Sequence, residues 1–450
     1  MTLQSFLVLL PSLVSGGVLS HFIWPDREFK SVLFKLFFGT GVGLGMNSLL
    51  FFIYLLVFGR RSGFVWVQLV VMVLLVAVLI FRERPWRFDL AALNPLSRVQ
   101  AIFFAVTGAM VILGAMVYVT VIERKPQGAW DTWMIYNRAA RFIYRGEDHW
   151  RDAFSPHLYW FFHTDYPPLV ALNVAAGWDA LGQEAIRVPM LVGGAFLFGS
   201  AGLMFAGMHM YKTPGQASLA LLALFGISDF LESGAGQIAD VPVAFFILAT
   251  GSLLFLYARK AQSGLLVLAG LSAGLAAWTK NEGILFVLVS LAGLGFAYRK
   301  EWKQIFPWYG LGLAVPMAVL VYFKVALAPP GDLFVDFASQ VRQIIDPERH
   351  LIILKQLGSD LRSLVNWPLF AVYALVVGID RDRLHVPAFN ACLVIILLQL
   401  AGYYSILLIS PHAVLWHVSA LYRLLLQIGP LIVFLFFSAV KPPEILFQSK

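Results

Sequence analysis

The chain contains little charge and almost no cysteine for its length. Of its 450 residues, 13% are charged and one is a cysteine, whereas about a quarter of the residues of an ordinary soluble protein are charged. Hydrophobic residues make up 60% of the chain, and the mean hydropathy is +0.78. These values exclude a soluble globular enzyme. The single cysteine, Cys392, lies in an apolar run, which excludes an internal disulfide and a metal site built on cysteine.

The sequence has no nucleotide-binding motif and no sign of a nucleic acid partner. Glycines alternate at Gly39, Gly41, Gly43 and Gly45, but they stand inside an apolar run, where glycine usually lets two helices pack closely. The net charge is +8, and basic loops on one side of a membrane account for such an excess. We therefore predict no DNA or RNA binding.

Runs of about 20 apolar residues recur from end to end, which predicts an all-α polytopic membrane protein. Basic residues between the runs should lie in the cytoplasm, which places the N-terminus outside. The first run has no Lys or Arg before it, so we interpret it as a retained span rather than a signal peptide. The 13 predicted spans are 5–24, 31–58, 63–81, 100–120, 188–210, 216–233, 240–258, 263–280, 283–298, 305–327, 364–380, 386–408 and 421–439.

Two long segments are predicted outside the membrane, 121–187 and 328–363, and residues 440–450 form a cytoplasmic tail. In the first segment, residues 133–145 have apolar and basic side chains at helical spacing, which is typical of a surface helix whose arginines bind anionic headgroups. Residues 167–181 are apolar but too short to span comfortably. We expect them to form an external helix that lies along the membrane or dips into it.

Polar residues near the spans gather on one face in this topology. A charge at the bilayer centre costs roughly 2.5–3.5 kcal/mol on insertion scales, so such residues either reach the interface or serve a site. Five segments that are distant in sequence converge outside, and their polar residues are Asp131, His163, Asp165, Glu232, Asp240, Lys280, Glu282, His417 and Arg423. We therefore predict a functional site on the extracytoplasmic face.

These residues also have plain structural interpretations, which the sequence leaves open. Asp131 and Asp240 stand at predicted helix starts, where a carboxylate serves as a cap. Lys280 and Glu282 flank a very short turn, from which side chains can simply reach the interface. The remaining candidates are equally explained as loop residues or helix anchors: His163, Asp165, His417 and Arg423.

Four segments, in this order, resemble the C-type glycosyltransferases. These are multi-span membrane enzymes that include protein O-mannosyltransferases and the aminoarabinose transferase of lipid A. The four segments are WDTW with Asp131, DYPPL at 165–169, GQIADVP with Asp240 and AGLAAWTKNEG with Lys280. The resemblance covers about residues 101–430 and implies a glycosyltransferase core at 100–439, with residues 1–99 as additional N-terminal spans.

The resemblance implies transfer of a sugar from a polyprenyl-phosphate carrier to an acceptor hydroxyl, with inversion, on the extracytoplasmic face of the plasma (inner) membrane. Asp131 would be the general base, since a base on the hydroxyl contributes typically 10²–10⁴-fold. Lys280 and Arg423, with His163 and His417, would offset charge on the departing phosphate. Asp165, Asp240 and Glu282 would complete the substrate site.

No cofactor is implied by the resemblance. A divalent metal held by Asp131 with Asp240, or with Glu147 and Asp148, is an alternative that we do not favour. The sequence also departs from the family, because Tyr166 stands where some members carry Lys before Pro-Pro-Leu. One phosphate contact must therefore come from another residue or be absent.

Two other functions remain open. A flippase or transporter of lipid-linked sugars would also gather charges along a path, although at mid-span depth, and inverted repeats of broken helices are not visible in the sequence. A polysaccharide polymerase or ligase would share the membrane, the lipid carrier and the external face. It should have an arginine-rich external loop, but residues 329–351 contain only Arg342 and Arg349.

Overall fold

A computed structural model describes residues 6–83, 97–158, 160–331 and 337–447. These residues are mainly α-helical, and no β-strand occurs among them. The helices of the first half are α1 Leu10–Ile23, α2 Phe29–Phe58, α3 Phe64–Arg82, α4 Arg98–Arg124, α5 Asn137–Arg145, α6 Leu169–Leu181, α7 Arg187–Tyr211, α8 Pro214–Phe225 and α9 Phe230–Ala235. Those of the second half are α10 Asp240–Lys260, α11 Ser263–Ala277, α12 Asn281–Ala297, α13 Trp302–Ala326, α14 Phe337–Ile344, α15 Pro347–Leu364, α16 Trp367–Val377, α17 Arg381–Leu384, α18 Pro387–Ile409, α19 Val414–Val418 and α20 Leu421–Ala439.

The described helices confirm a polytopic membrane protein. Eight segments are long and apolar enough to cross a bilayer, namely α2, α3, α4, α7, α10, α13, α18 and Val414–Ala439, which contains α19 and α20. The pair α15 and α16 would be a ninth span, bent by 54° at its break. The predicted count of 13 is therefore not confirmed.

The count differs because several predicted spans correspond to short helices. In place of the spans 5–24, 263–280 and 283–298, helices α1, α11 and α12 have 14, 15 and 17 residues, against about 20 for a typical transmembrane helix. The predicted span 216–233 is broken, because α8 ends at Phe225 and Asp229 takes a left-handed conformation with φ +59° before α9. Hydropathy alone does not reveal that break.

Helix α6 is too short to count among the candidate spans, and its surroundings differ from the prediction. The Leu169 N–H donates to the Trp278 carbonyl at 3.3 Å, and the Asp179 carboxylate lies 2.5 Å from the Arg61 guanidinium. Both partners belong to turns predicted outside, so both ends of α6 lie at the same end of the bundle. Ten of its 13 residues are buried. The helix is thus enclosed by protein and does not lie along the lipid surface.

The amphipathic segment after Asp131 also packs against protein. Its apolar residues Ile135, Ala139 and Ile143 are buried within the protein, whereas the prediction was a helix on the membrane surface. Its arginines likewise bind protein groups instead of standing free for lipid headgroups. Arg145 pairs with Glu184, with N···O distances of 2.5 and 2.8 Å, and this hydrogen-bonded guanidinium lowers the pKa of the Glu184 carboxyl.

The alternating glycines pack helices together, as predicted. A Cβ atom on Gly43 would lie 2.0 Å from the Ser12 carbonyl oxygen of α1, and one on Gly39 would lie 2.6 Å from Gly17. The other two glycines face the inner helices, because a Cβ on Gly41 or Gly45 would meet Phe245 of α10 or Leu275 of α11. Helix α2 therefore packs on two sides through backbone contacts that a side chain would prevent.

Burial is greatest along α10. In an apolar window of 18 residues from each helix, 89% of the α10 window is buried inside the protein, against 17% of the windows of α3 and α4. Helix α2 packs against α6 and α7, so the segment predicted as an N-terminal addition is part of the same helical bundle. Charged loops meet at both ends of this bundle, with Lys125–Glu232 at 2.9 Å at the Asp131 end and Lys212–Asp380 at 2.6 Å at the opposite end. This grouping agrees with the predicted alternation of loops.

The topology predicts which loops an external reagent reaches. Cys392, the single native cysteine, is fully buried and should not react with a thiol reagent, so it should give no background labelling. In intact cells, Asp148→Cys should react with a membrane-impermeant maleimide, because Asp148 is exposed in the segment predicted outside. Lys300→Cys, in the exposed turn between α12 and α13, should react only after permeabilisation. The reverse pattern would place the Asp131 end in the cytoplasm.

The glycine contacts predict a loss of stability. Gly43→Leu should lower the free energy of unfolding by about 1–3 kcal/mol, because the added side chain enters closely packed backbone. Gly310→Leu on α13 is the matched control, since a Cβ at Gly310 meets no atom within 4 Å. Thermal denaturation of both purified variants in detergent measures the difference, and equal stability would contradict the close helix contact.

Candidate functional site

Asp131 and Arg423 form an ion pair at one end of the bundle. Arg423 Nη1 donates to Asp131 Oδ2, although 292 positions separate the two residues. Asp131 stands at the start of the helical segment Thr132–Tyr136, but its side chain makes no capping hydrogen bond. The cap interpretation of Asp131 is therefore wrong. The two side chains remain 18% and 25% exposed, so both are accessible to a small molecule.

A second carboxylate lies deeper in the protein. Asp240 Oδ1 accepts hydrogen bonds from Lys280 Nζ at 2.9 Å and from Gln427 Nε2 at 2.6 Å. Its side chain makes no cap for α10, and the exposed fractions of Asp240 and Lys280 are 1% and 6%. The interpretation of Lys280 as an interfacial side chain is wrong, since its ammonium group is enclosed.

Lys280 has two acidic partners. Its ammonium nitrogen also lies 2.9 Å from Glu282 Oε1, and the other oxygen of Glu282 is buried without a hydrogen-bond partner among the described residues. Burying charges costs several kcal/mol for each ion, which close opposite charges must offset. A lysine between two carboxylates therefore holds this turn in the interior.

Helix α20 joins the two carboxylates. Arg423 binds Asp131 and Gln427 binds Asp240, and residues four apart lie on the same helix face. Tyr403 of α18 donates to Gln427 Oε1 at 2.8 Å and fixes that amide. The polar cluster, as we define it, consists of Asp131, Asp240, Lys280, Glu282, Arg423 and Gln427.

The DYPPL segment is tied to the same turn. Asn281 Nδ2 donates to Asp165 Oδ2 at 2.7 Å, and Lys324 Nζ donates to the Asp165 carbonyl at 2.6 Å and to Asn281 Oδ1 at 2.7 Å. Asp165 is thus a fixed part of the site's surroundings instead of an ordinary loop residue. The predicted convergence of these distant segments agrees with the structure.

The two candidate histidines differ in their relation to the polar cluster. The His163 ring stacks on Tyr166 with centroids 4.5 Å apart, and Tyr166 in turn lies 6.0 Å from Lys280 Nζ. His417 Nδ1 lies 2.6 Å from Ser410 Oγ in the turn before α20. His163 therefore reaches the cluster through Tyr166, and His417 is held within its own turn.

Sequence reasoning missed Gln427, Lys324 and Tyr136. Gln427 had a usable signal, because it is a polar residue in an apolar span four positions after Arg423. Tyr136 had none. It ends a π-helix, Thr132–Tyr136, a rare geometry that is frequent at functional sites. Its hydroxyl is buried without a partner among the described residues, and burial raises the pKa of this phenol well above its usual range.

A cavity of about 360 Å³ opens beside the ion pair. Its wall includes Asp131 and Arg423 together with Lys125, Asp229, Glu232 and Tyr422. Aromatic rings flank it, since Phe161 packs against Trp130 and against Trp416, with centroids 5.7 Å apart in each pair. Charged and aromatic side chains thus meet at this end of the bundle.

The carboxylates considered for a metal bind cations of the protein instead. Asp131 pairs with Arg423, Asp240 with Lys280, and Glu147 with Arg61. Within the described ranges, no group of three or more His, Cys, Asp or Glu side chains is placed to hold a metal ion. The donor set does not fit a metal, and we derive no step through one.

Comparison with known proteins does not identify a function for this site. No family model matches the chain, no curated protein matches it significantly, and no solved structure does so either. The fold and the site define the class as a multi-pass helical membrane protein with a buried polar cluster at one end of its bundle.

The burial of Lys280 predicts a large effect on stability. Lys280→Met should lower the free energy of unfolding by about 3–5 kcal/mol, because Asp240 would remain buried without its cation. Lys125→Met is the matched control, since the Lys125–Glu232 pair is exposed and should contribute less than about 1 kcal/mol. Denaturation in detergent measures both changes. A small effect of Lys280→Met would contradict an enclosed ion pair.

Proposed function

We propose that this protein is a membrane glycosyltransferase that moves a sugar from a polyprenyl-phosphate carrier to an acceptor hydroxyl. The observation that carries the proposal is the Asp131–Arg423 pair on the wall of a cavity at the bundle's end. A carboxylate can take the proton of a hydroxyl, and a guanidinium can bind a phosphate. The headgroup of a membrane-anchored donor would reach such a cavity while its lipid stays in the bilayer.

The reaction in this proposal is a single displacement. The acceptor oxygen forms a bond to the anomeric carbon, and the bond from that carbon to the phosphate oxygen breaks on the opposite face, which inverts the configuration. The acceptor's proton passes to Asp131, and the bonding electrons leave with the polyprenyl phosphate. Arg423 holds Oδ2 of Asp131, so we assign the proton to the second oxygen, Oδ1.

Arg423 would have two tasks. Its guanidinium carries five donors in a planar fork, so it can hold a carboxylate and a phosphate oxygen at the same time. It would therefore place the base next to the leaving group and offset the charge that the phosphate gains. This side chain retains partial exposure next to the cavity, which the double role requires.

Lys280 takes a different role from the one expected from the sequence. Its ammonium group is occupied by Asp240 and Glu282 and is almost fully buried. We therefore propose that Lys280 fixes Asp240, which in turn holds Gln427 on α20 and so orients Arg423. We assign the phosphate contact to Arg423, which lines the cavity, and give no role in the reaction to His163 or His417.

A transporter of lipid-linked sugars is the second candidate. It is favoured by one observation, the buried Lys280 between Asp240 and Glu282, because ionisable residues in membrane interiors often serve ion or proton pathways. The two candidates differ in chemistry. A transporter leaves the donor intact, a glycosyltransferase releases the polyprenyl monophosphate, and a polymerase or ligase releases a diphosphate.

We expect sugar transfer to be lost when Asp131, the proposed general base, is replaced. Asp131→Asn should reduce single-turnover transfer by about 10²-fold or more, because the amide no longer accepts the proton while its size is unchanged. The matched control is Asp229→Asn, which alters a carboxyl on the same cavity wall and should retain normal turnover. The substrate is the polyprenyl-phosphate sugar fraction extracted from the same membranes, and mass spectrometry follows its conversion in proteoliposomes.

Three outcomes would overturn the proposal. Normal transfer by Asp131→Asn would remove the base, and equal loss in Asp229→Asn would show a general effect of cavity charge. Movement of the intact donor across the bilayer without conversion would identify a transporter.

A further inference from the structure

A second and larger cavity lies at the opposite end of the bundle, between α1, α2 and α3. It has a volume of about 500 Å³ and runs along α1 from Leu10 to His21. At 1.5 Å per residue this stretch of helix is roughly 16 Å long. Its walls are mostly apolar: Leu10, Leu13, Val14, Val18, Leu36 and Phe37.

One end of this cleft is polar and contains the buried Lys35, which lies near the carboxylates of Asp26 and Glu83 but forms no ion pair with a described residue. Lys35 is 4% exposed, and its ammonium group lies 2.9 Å from His21 Nδ1 and donates to the Trp24 carbonyl at 3.2 Å and to the Asp26 carbonyl. These three neutral acceptors occupy the three N–H donors of Lys35 but do not neutralise its charge. An anion at this end of the cleft would therefore be stabilised by the charge of Lys35.

The neighbouring charges do not cancel this lysine. Arg27 pairs with Glu83, and both residues line the same end of the cleft. Lys260 pairs with both Asp26 and Glu28, and Arg82 lies 4.0 Å from Glu83. These four cations, Arg27, Lys35, Arg82 and Lys260, therefore exceed the three carboxylates by one positive charge. An anionic group would fit the end that holds Lys35, and an alkyl chain would fit the apolar length that follows.

The cleft is open to the bilayer. Leu36 is 64% exposed and Leu10 is 46% exposed on its walls, and both belong to apolar helices. An occupant can therefore enter from the lipid phase. The geometry points to an anionic phospholipid whose acyl chain fills the cleft between α1, α2 and α3 and whose phosphate lies against Lys35. This site is remote from Asp131 and does not rest on the proposed function.

Two substitutions test the contact with the lipid headgroup separately from the contact with the lipid acyl chain. Lys35→Met removes the unpaired charge and keeps an apolar side chain of similar length. Gly17→Leu fills the cleft, because Gly17 lines it and a Cβ there meets no atom within 4 Å. Gly310→Leu on α13 adds the same side chain where a Cβ is equally unhindered, outside the cleft.

The test uses the purified full-length chain in detergent, with dioleoyl phosphatidylglycerol and phosphatidylcholine as probes and native mass spectrometry to count retained lipids. The wild-type chain should bind phosphatidylglycerol about fivefold more tightly than phosphatidylcholine, the ratio expected for one additional lysine contact. Lys35→Met should abolish that preference. Gly17→Leu should reduce retention of both lipids, and Gly310→Leu should behave as wild type.

Several results would overturn this inference. They are equal binding of the two lipids by the wild type, a preference that survives Lys35→Met, or undiminished retention in Gly17→Leu. Retention of a copurified polyprenyl phosphate with exclusion of both phospholipids would also overturn it. Should Lys35→Met fail to fold, as judged by size-exclusion chromatography, the preference of the wild type for phosphatidylglycerol tests the headgroup contact, and the Gly17→Leu and Gly310→Leu pair tests the acyl-chain contact.

Discussion

The ion pair between Asp240 and Lys280 is the constraint on which the site depends. A cation buried at the end of a helical bundle needs a carboxylate beside it, and Asp240 supplies one from α10 while Glu282 supplies another. Asp240 also holds Gln427, which fixes the face that α20 presents. Arg423 lies one turn away on that face and meets Asp131. A contact in the protein interior thereby sets the position of the residues at the cavity.

The sequence predicted the membrane class and the gathering of polar residues, but not their pairing. Hydropathy and basic loops place helix ends on two sides of a membrane, which was enough to bring Asp131, Asp240 and Lys280 to the same end. The partner of each charge depends on which helices are neighbours in space. Asp131 and Arg423 are 292 positions apart in the sequence, and only the packing of α20 brings their side chains together.

Apolar composition does not distinguish a lipid neighbour from a protein neighbour, and this explains the errors in the helical segments. Helix α6 is as apolar as a membrane helix, yet it is surrounded by other helices and anchored by the Arg61–Asp179 pair. The break before α9 depends on the left-handed backbone of Asp229, which leaves no trace in hydropathy. The glycines of α2 were predicted correctly, because glycine within an apolar run has one dominant use.

The π-helix after Asp131 affects the direction in which the Asp131 side chain points. A π-helical turn contains one more residue than an α-helical turn, so expelling one residue into the adjoining loop converts it to an ordinary helix. Such a conversion rotates the preceding residue by about 100° around the helix axis. Asp131, immediately before Thr132–Tyr136, would then swing away from Arg423 without movement of any transmembrane helix. The extra residue of the π-helical turn therefore helps to set the direction in which Asp131 meets Arg423.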